Sequence, residues 1–248
     1  MIDIAGNIAR VRTRMARAEA AAGREEGSVR LLLAAKYQPV ENLLAALAAG
    51  EHFFGHNMVQ QLIQAEEALA ASEKEFLTTF VHTTTMIGHV QSNKLSQAMR
   101  YAQRIDTVDS LKTAQQINRR QKARINAGEA PSGEPYPILV QVNSSGAVSQ
   151  FGCEPSALLD LAAQISELEY VRIDGLMTIG AHTPDDQQAI IRSFEVTRAL
   201  GARLQEIPGC EKACVLSMGM SHDLELAIEH GSTEIRIGTA IFGPRAQK

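Results

Sequence analysis

Apolar positions along the chain gather in eight short, β-prone runs. They are LLLAAK (31–36), HFFG (52–55), FVHTTTMIG (80–88), RIDTV (104–108), YPILVQVN (136–143), IDGLMTIG (173–180), ACVLSMG (213–219) and EIRIG (234–238). The stretches between them, 39–49, 57–72, 91–101, 109–127, 154–169, 184–206 and 221–230, carry the spacing of helices. Strands alternating with helices imply βαβ units and a parallel sheet. Eight such units in 248 residues predict an α/β fold, a single (β/α)8 TIM barrel spanning 1–248 as one domain. An open doubly wound sheet is the alternative, but no predicted strand runs into a GxGxxG turn. Ahead of the first strand, Ile4, Ile8, Val11 and Met15 fall at helical spacing and Gly23 offers a stop. That predicts an extra N-terminal helix.

The punctuation agrees. Gly50 and Gly231 stand where helices should end, and Pro39, Pro155 and Pro184 where they should begin. One stretch, NAGEAPSGEPYP from Asn126 to Pro137, is rich in Gly, Pro and Glu and reads as a surface loop.

Composition narrows the setting. Hydrophobic residues make up 45% and charged residues 21%, a soluble globular balance. The net charge of -4 gives no field to attract nucleic acid or an anionic membrane. No apolar run reaches the roughly 20 residues of a membrane span. The N-terminus has arginines without early glutamate, as transit peptides do, but its helical stripe favours a helix of the folded protein. Cys153, Cys210 and Cys214 offer no disulfide framework and suit a reducing cytoplasm. Cys210 and Cys214 lack a second ligand pair, so no zinc site is expected. His52, His56, His82, His89, His182, His222 and His230 form no HxH or HExxH pattern and read as solvated or core residues. No local motif signals a Ser–His–Asp triad or paired catalytic carboxylates.

Barrel active sites lie at the C-terminal ends of the strands. The first predicted strand ends in Lys36 after LLLAA. A lysine there is partly desolvated, which favours the free amine and its attack on a carbonyl; alternatively it snorkels to solvent. Ser217, Gly219 and Ser221 follow the seventh strand, and Gly238 and Thr239 the eighth. Loops after strands seven and eight often hold phosphate in barrels. Ser221 is placed to cap the helix of HDLELAIEH, the glycines allow close backbone approach, and Thr239 opens a short helix, TAIFG. Plain helix capping would use the same residues. In EIRIG, Ile235 and Ile237 share the outward face, so Arg236 points into the barrel. A charge there needs an anion or an acceptor, or an internal salt bridge to a carboxylate such as Asp174 or Glu225.

In these residues the chain resembles the pyridoxal phosphate homeostasis proteins, the YggS/PROSC-like family. The resemblance runs through nearly the whole chain. Its most specific pieces are LLAAK (32–36), FGHN-VQ (54–60), IGHVQSNK (87–94), GLMTI (175–179) and LSMGMSHDLELAI-HGSTEIRIGTAIFG (216–243). The resemblance implies a barrel similar to the alanine racemase N-terminal domain, binding pyridoxal 5′-phosphate (PLP) as a Schiff base on Lys36. It implies a phosphate cradle at Ser217, Gly219, Ser221, Gly238 and Thr239, Arg236 opposite the pyridine nitrogen, and Asn57 and Met177 near the ring. The chain departs from the family's pattern at His56 (commonly Glu), Thr85 (commonly His), Gln150 (commonly Lys) and His222 (commonly Asp).

Three functions compete. A cytoplasmic, non-catalytic carrier would buffer PLP and deliver it, with PLP-dependent apo-enzymes as partners, and would act as a monomer. A PLP enzyme such as an amino-acid racemase would carry a further β-domain with an opposing Tyr base; this chain ends at Lys248, soon after the eighth strand. An arginine at the pyridine nitrogen also disfavours the protonated ring that carbanion chemistry uses. A barrel aldolase would use Lys36 without any cofactor.

Overall fold

The structure is a computed structural model that describes residues 2–76, 79–181 and 186–244. Helix α1 (Ile4–Ala21) comes first. Asp3 caps it, its carboxylate accepting from the Gly6 N–H at 2.9 Å. Strands β1 (Arg30–Ala34), β2 (Phe53–His56), β3 (Thr83–Met86) and β4 (Arg104–Val108) follow, separated by α2 (Val40–Ala48), α3 (Val59–Phe76) and α4 (Leu95–Tyr101). The second half runs α5 (Leu111–Asn126), β5 (Tyr136–Gln141), α6 (Leu158–Ser166), β6 (Val171–Met177), α7 (Gln187–Leu204), β7 (Val215–Ser217), α8 (Leu224–Glu229), β8 (Glu234–Ile237) and α9 (Thr239–Phe242). The eight strands pair in parallel in chain order and close through β1 and β8, with Leu31 beside Ile235 and Leu33 beside Ile237.

Every predicted strand and helix has its counterpart, and the N-terminal helix is present. The third strand is shorter than the apolar run suggested, because the Phe80 N–H donates to the Glu73 carboxylate rather than to the sheet. Two predicted helices open as tighter 3-10 turns, Ser92–Lys94 before α4 and Pro155–Ala157 before α6. The Gly- and Pro-rich stretch is the exposed loop between α5 and β5. Pro184 and His182 lie outside the described residues.

Strand alternation sets the layers. Leu31, Leu33, Ile235 and Ile237 face outward and pack with Ile4, Ile8, Val11 and Met15 of α1. A second apolar layer joins β4, β5 and β6 to α4, α5 and α6 through residues such as Ile105, Ile138 and Ile165. The inward face is partly ionic. At the N-terminal half of the barrel, Arg104 forks onto Asp106 at 2.6 and 2.9 Å and reaches Glu234 at 2.7 Å. The Thr85 hydroxyl donates to the same Asp106 carboxylate at 2.8 Å.

Candidate functional site

Lys36 owes its place to strand period. Leu31, Leu33 and Ala35 are buried outward among helices, so Leu32, Ala34 and Lys36 belong to the inward face. The Ala35 N–H still donates to Gly55 at 2.9 Å, and the chain then turns at Tyr37, whose φ is +57. That is the left-handed region, rarely adopted by residues with a side chain. Lys36 is half-buried, and its Nζ lies 5.5 Å from the centre of the Tyr37 ring. Among the described residues no hydrogen bond or ion pair engages that amine.

Arg236 projects inward from β8, as alternation required, and is buried. Its guanidinium ends neither of the salt bridges that the sequence left open. Asp174 pairs with Arg172 and Glu225 with Arg14. Instead Nη1 donates to the Ser217 carbonyl at 2.7 Å and to its hydroxyl at 3.0 Å, and Nη2 to the Thr178 carbonyl at 2.7 Å. The carbonyl ends of β6 and β7 thus hold it. Burial lowers its pKa, and the charges of Glu234, Asp106 and Asp223 oppose that shift.

Both residues open onto one cavity of about 350 Å³ at the C-terminal mouth of the barrel. Asn57, Met177, Ser221, Gly238 and Thr239 line it with them. Two residues expected there stand behind its wall. Ser217 is fully buried and spends its hydroxyl and carbonyl on Arg236. Gly219 has a φ of +96, and a Cβ there would lie 2.4 Å from that of Ala227 in α8. Its missing side chain therefore serves the close approach of the turn to α8, and its carbonyl accepts from the Arg236 N–H at 3.0 Å.

The capping expected of Ser221 is different too. Asp223 stands at the N-cap of α8, and the Ser221 hydroxyl accepts from Ala240 in α9 at 3.4 Å. Asp223 folds back to accept from the Met220 N–H at 2.5 Å, and its burial raises its carboxyl pKa. Ile87, Ile179 and Met220, which the sequence did not mark as site residues, also line the cavity. Each follows a strand end, the only signal available, since Ile and Met carry no chemical mark.

The positions that depart from the family's pattern have separate settings. Thr85 belongs to the ionic barrel interior, Gln150 bridges Ser145 and the Gly180 carbonyl, and His222 lines the cavity. His56 is buried, with neither ring nitrogen hydrogen-bonded among the described residues.

Among the described residues, the cavity's lining combines an amine, a guanidinium, an imidazole and hydroxyls, and includes no carboxylate. That is a site for a small anion bearing an electrophilic carbon.

The sequence matches the family described as "Alanine racemase, N-terminal domain" over residues 7–246. A pyridoxal phosphate homeostasis protein from Pseudomonas aeruginosa is 36% identical over 248 residues, covering 99% of this chain and 97% of that protein. The chain belongs to the pyridoxal phosphate homeostasis protein family. Among solved structures similar to this member of the family is a protein from Bifidobacterium adolescentis. It shares 38% identity over 96% of this chain and 94% of that one, with a TM-score of 0.87. PipY of Synechococcus elongatus, solved with PLP bound, is 31% identical over 92% of this chain and 100% of its own, with a TM-score of 0.71. No helix among the described residues is long and apolar enough to cross a membrane.

Proposed function

We propose that this protein binds PLP in the cavity at Lys36 and serves intracellular PLP homeostasis as a carrier rather than an enzyme. The observation that carries the reading is the cavity itself. In a chain of net charge -4 it brings together a lysine amine without a hydrogen bond or ion pair, a buried arginine and two hydroxyl-bearing turns, with no carboxylate among the described residues that line it. The family's relatives are named for PLP homeostasis, and PipY has been solved with PLP.

Bound PLP supplies an electrophilic aldehyde and an electron-withdrawing ring. Lys36 would offer the amine that holds the aldehyde carbon. Ser221 and Thr239 offer hydroxyls, and the turns at 221 and 238–239 backbone N–H groups, to the phosphate. Asn57 and Met177 line the ring's place. Ser217 and Gly219 act one step back, holding Arg236 and shaping the turn beside it.

Arg236 sets the chemistry. A guanidinium keeps its proton at any working pH, so Arg236 would donate to a neutral ring nitrogen and would disfavour a protonated one. A neutral ring withdraws fewer electrons from a substrate carbon, so these residues would hold the cofactor without activating it. The carrier acts as a monomer in the cytoplasm, a compartment that suits its three unpaired thiols, and passes PLP to PLP-dependent apo-enzymes.

Borohydride reduction of the PLP-loaded protein followed by peptide mapping tests the anchor, with the phosphopyridoxyl group expected on Lys36. An adduct only on Lys94, or none, overturns it. Incubation with L-alanine in deuterated water tests the carrier reading, since α-proton exchange at about 1 per second or faster would mark an enzyme.

A further inference from the structure

Two side chains of α1 reach the two turns that carry Ser221 and Thr239. Arg14 Nη2 donates to the Ser221 carbonyl at 3.2 Å, while its Nε and Nη2 fork onto Glu225 of α8 at 2.6 and 2.8 Å. Asn7 Nδ2 donates to the Ile241 carbonyl, within α9, at 2.7 Å. The two residues stand seven apart, two helical turns along one face of α1. Arg10 donates to the Asn7 side-chain oxygen, which leaves the amide NH2 facing Ile241.

The helix that carries them is itself fixed. Ile4, Ile8, Val11 and Met15 are buried against the outward face of β8 and Phe242 of α9. By contrast, the direct tie between the two turns among the described residues is a single bond at the long limit, from the Ala240 N–H to the Ser221 hydroxyl at 3.4 Å. Both α1 side chains spend their donors on carbonyls and so take up no N–H group of the turns, whose Met220 and Ala240 N–H groups are bonded to Asp223 and Ser221. Neither Asn7 nor Arg14 lines that cavity.

We propose that α1 is a positioning element for the phosphate-binding turns: Asn7 and Arg14 hold the 221 turn and α9 at a fixed separation, and so set affinity for the cofactor's phosphate and not for its aldehyde. The inference rests on reading the cavity as a PLP site. It assigns the N-terminal helix a role in ligand selection, through residues remote from Lys36.

The test compares PLP with pyridoxal, which has the same aldehyde and ring but no phosphate. Binding of each to the full chain is followed by visible absorbance in the wild type, Arg14→Met and Asn7→Ala. Each variant should weaken PLP binding about 3- to 30-fold, the range of a positioning contact, and leave pyridoxal binding within about twofold. Arg14→Lys, which keeps a charge for Glu225, should recover part of the loss. A general loss of stability would weaken both ligands alike. An unchanged ratio of the two affinities in the variants overturns the inference. Should Arg14→Met fold poorly, Asn7→Ala decides alone, because it removes one amide from a half-buried surface. A wild type that forms no adduct with either aldehyde removes the PLP reading, and this inference with it. A wild type that prefers PLP, with variants that prefer it equally, removes only this one.

Discussion

Arg104 on β4 and Glu234 on β8, 130 residues apart in the chain, meet inside the barrel with Nη2 and Oε1 2.7 Å apart. Asp106 takes the other edge of the guanidinium. Burial opposes the Arg104 charge, but the two carboxylates outweigh it and raise the pKa. The Glu234 charge also acts on Arg236, two residues along β8, opposing the fall in its pKa, though no salt bridge joins the two among the described residues. Truncating one member of such a set leaves an unpaired buried charge, the expensive case. Arg104→Met is therefore expected to lower unfolding stability by about 3–5 kcal/mol. Chemical denaturation measures it, and a loss under about 1 kcal/mol would mean that the network contributes little.

His56 gives stability a pH dependence. Burial pushes its pKa down to about 4, with Glu66 opposing the shift and His82 adding to it. Between about pH 4 and 6.5 the unfolded chain binds a proton at this residue that the folded chain refuses. Stability therefore falls as pH drops through that window, by roughly 3 kcal/mol from this group alone. His82 works the other way. Its hydrogen bond to Glu66 raises its pKa, so its contribution is present in acid and is lost as pH rises through the folded value. Denaturation of wild type and His56→Leu from pH 4.5 to 7.5 should show the acid-side decline only in the wild type. Parallel curves would rule His56 out as its source.

Ser221 and Thr239, which line the cavity, are the hydroxyls proposed to hold the phosphate. Replacing both with Ala removes two hydroxyls, each worth about 1.5–3 kcal/mol on a charged acceptor. PLP affinity should fall at least about a hundredfold. Titration of the double variant checks this, and wild-type affinity would exclude the two turns as the phosphate site.

Gly88 places Asn57. A Cβ on Gly88 would lie 2.1 Å from the Asn57 carbonyl oxygen, which is backbone and cannot swing aside. Gly88→Ala is expected to move the loop after β2 and to destabilise the protein by about 1–3 kcal/mol. PLP affinity should drop with it. A variant as stable as the wild type, with unchanged affinity, would show that this close approach is dispensable.

Local period alone made much of this protein legible. Eight apolar runs between helical stretches fix the barrel, because strand and helix periods are short-range properties of the chain. The same two-residue alternation turned Arg236 inward from between Ile235 and Ile237, and carried Lys36 to the mouth in step with Leu32 and Ala34. What alternation cannot say is which group a polar side chain meets once β8 closes onto β1. Arg236 found carbonyls of β6 and β7 rather than Asp174 or Glu225. Ser217 and Gly219 moved behind the wall, and Ser221 took up a backbone N–H of α9 rather than of α8. Nothing in the local sequence marks Arg14 and Asn7 within the N-terminal helix, or Arg104 and Asp106 within RIDTV. Their partners lie 130 to 234 residues away for Glu234, Ser221 and Ile241. Hydrogen bonds are short and directional, so pairs that distant in sequence are chosen by ring closure and helix packing, which no local pattern records.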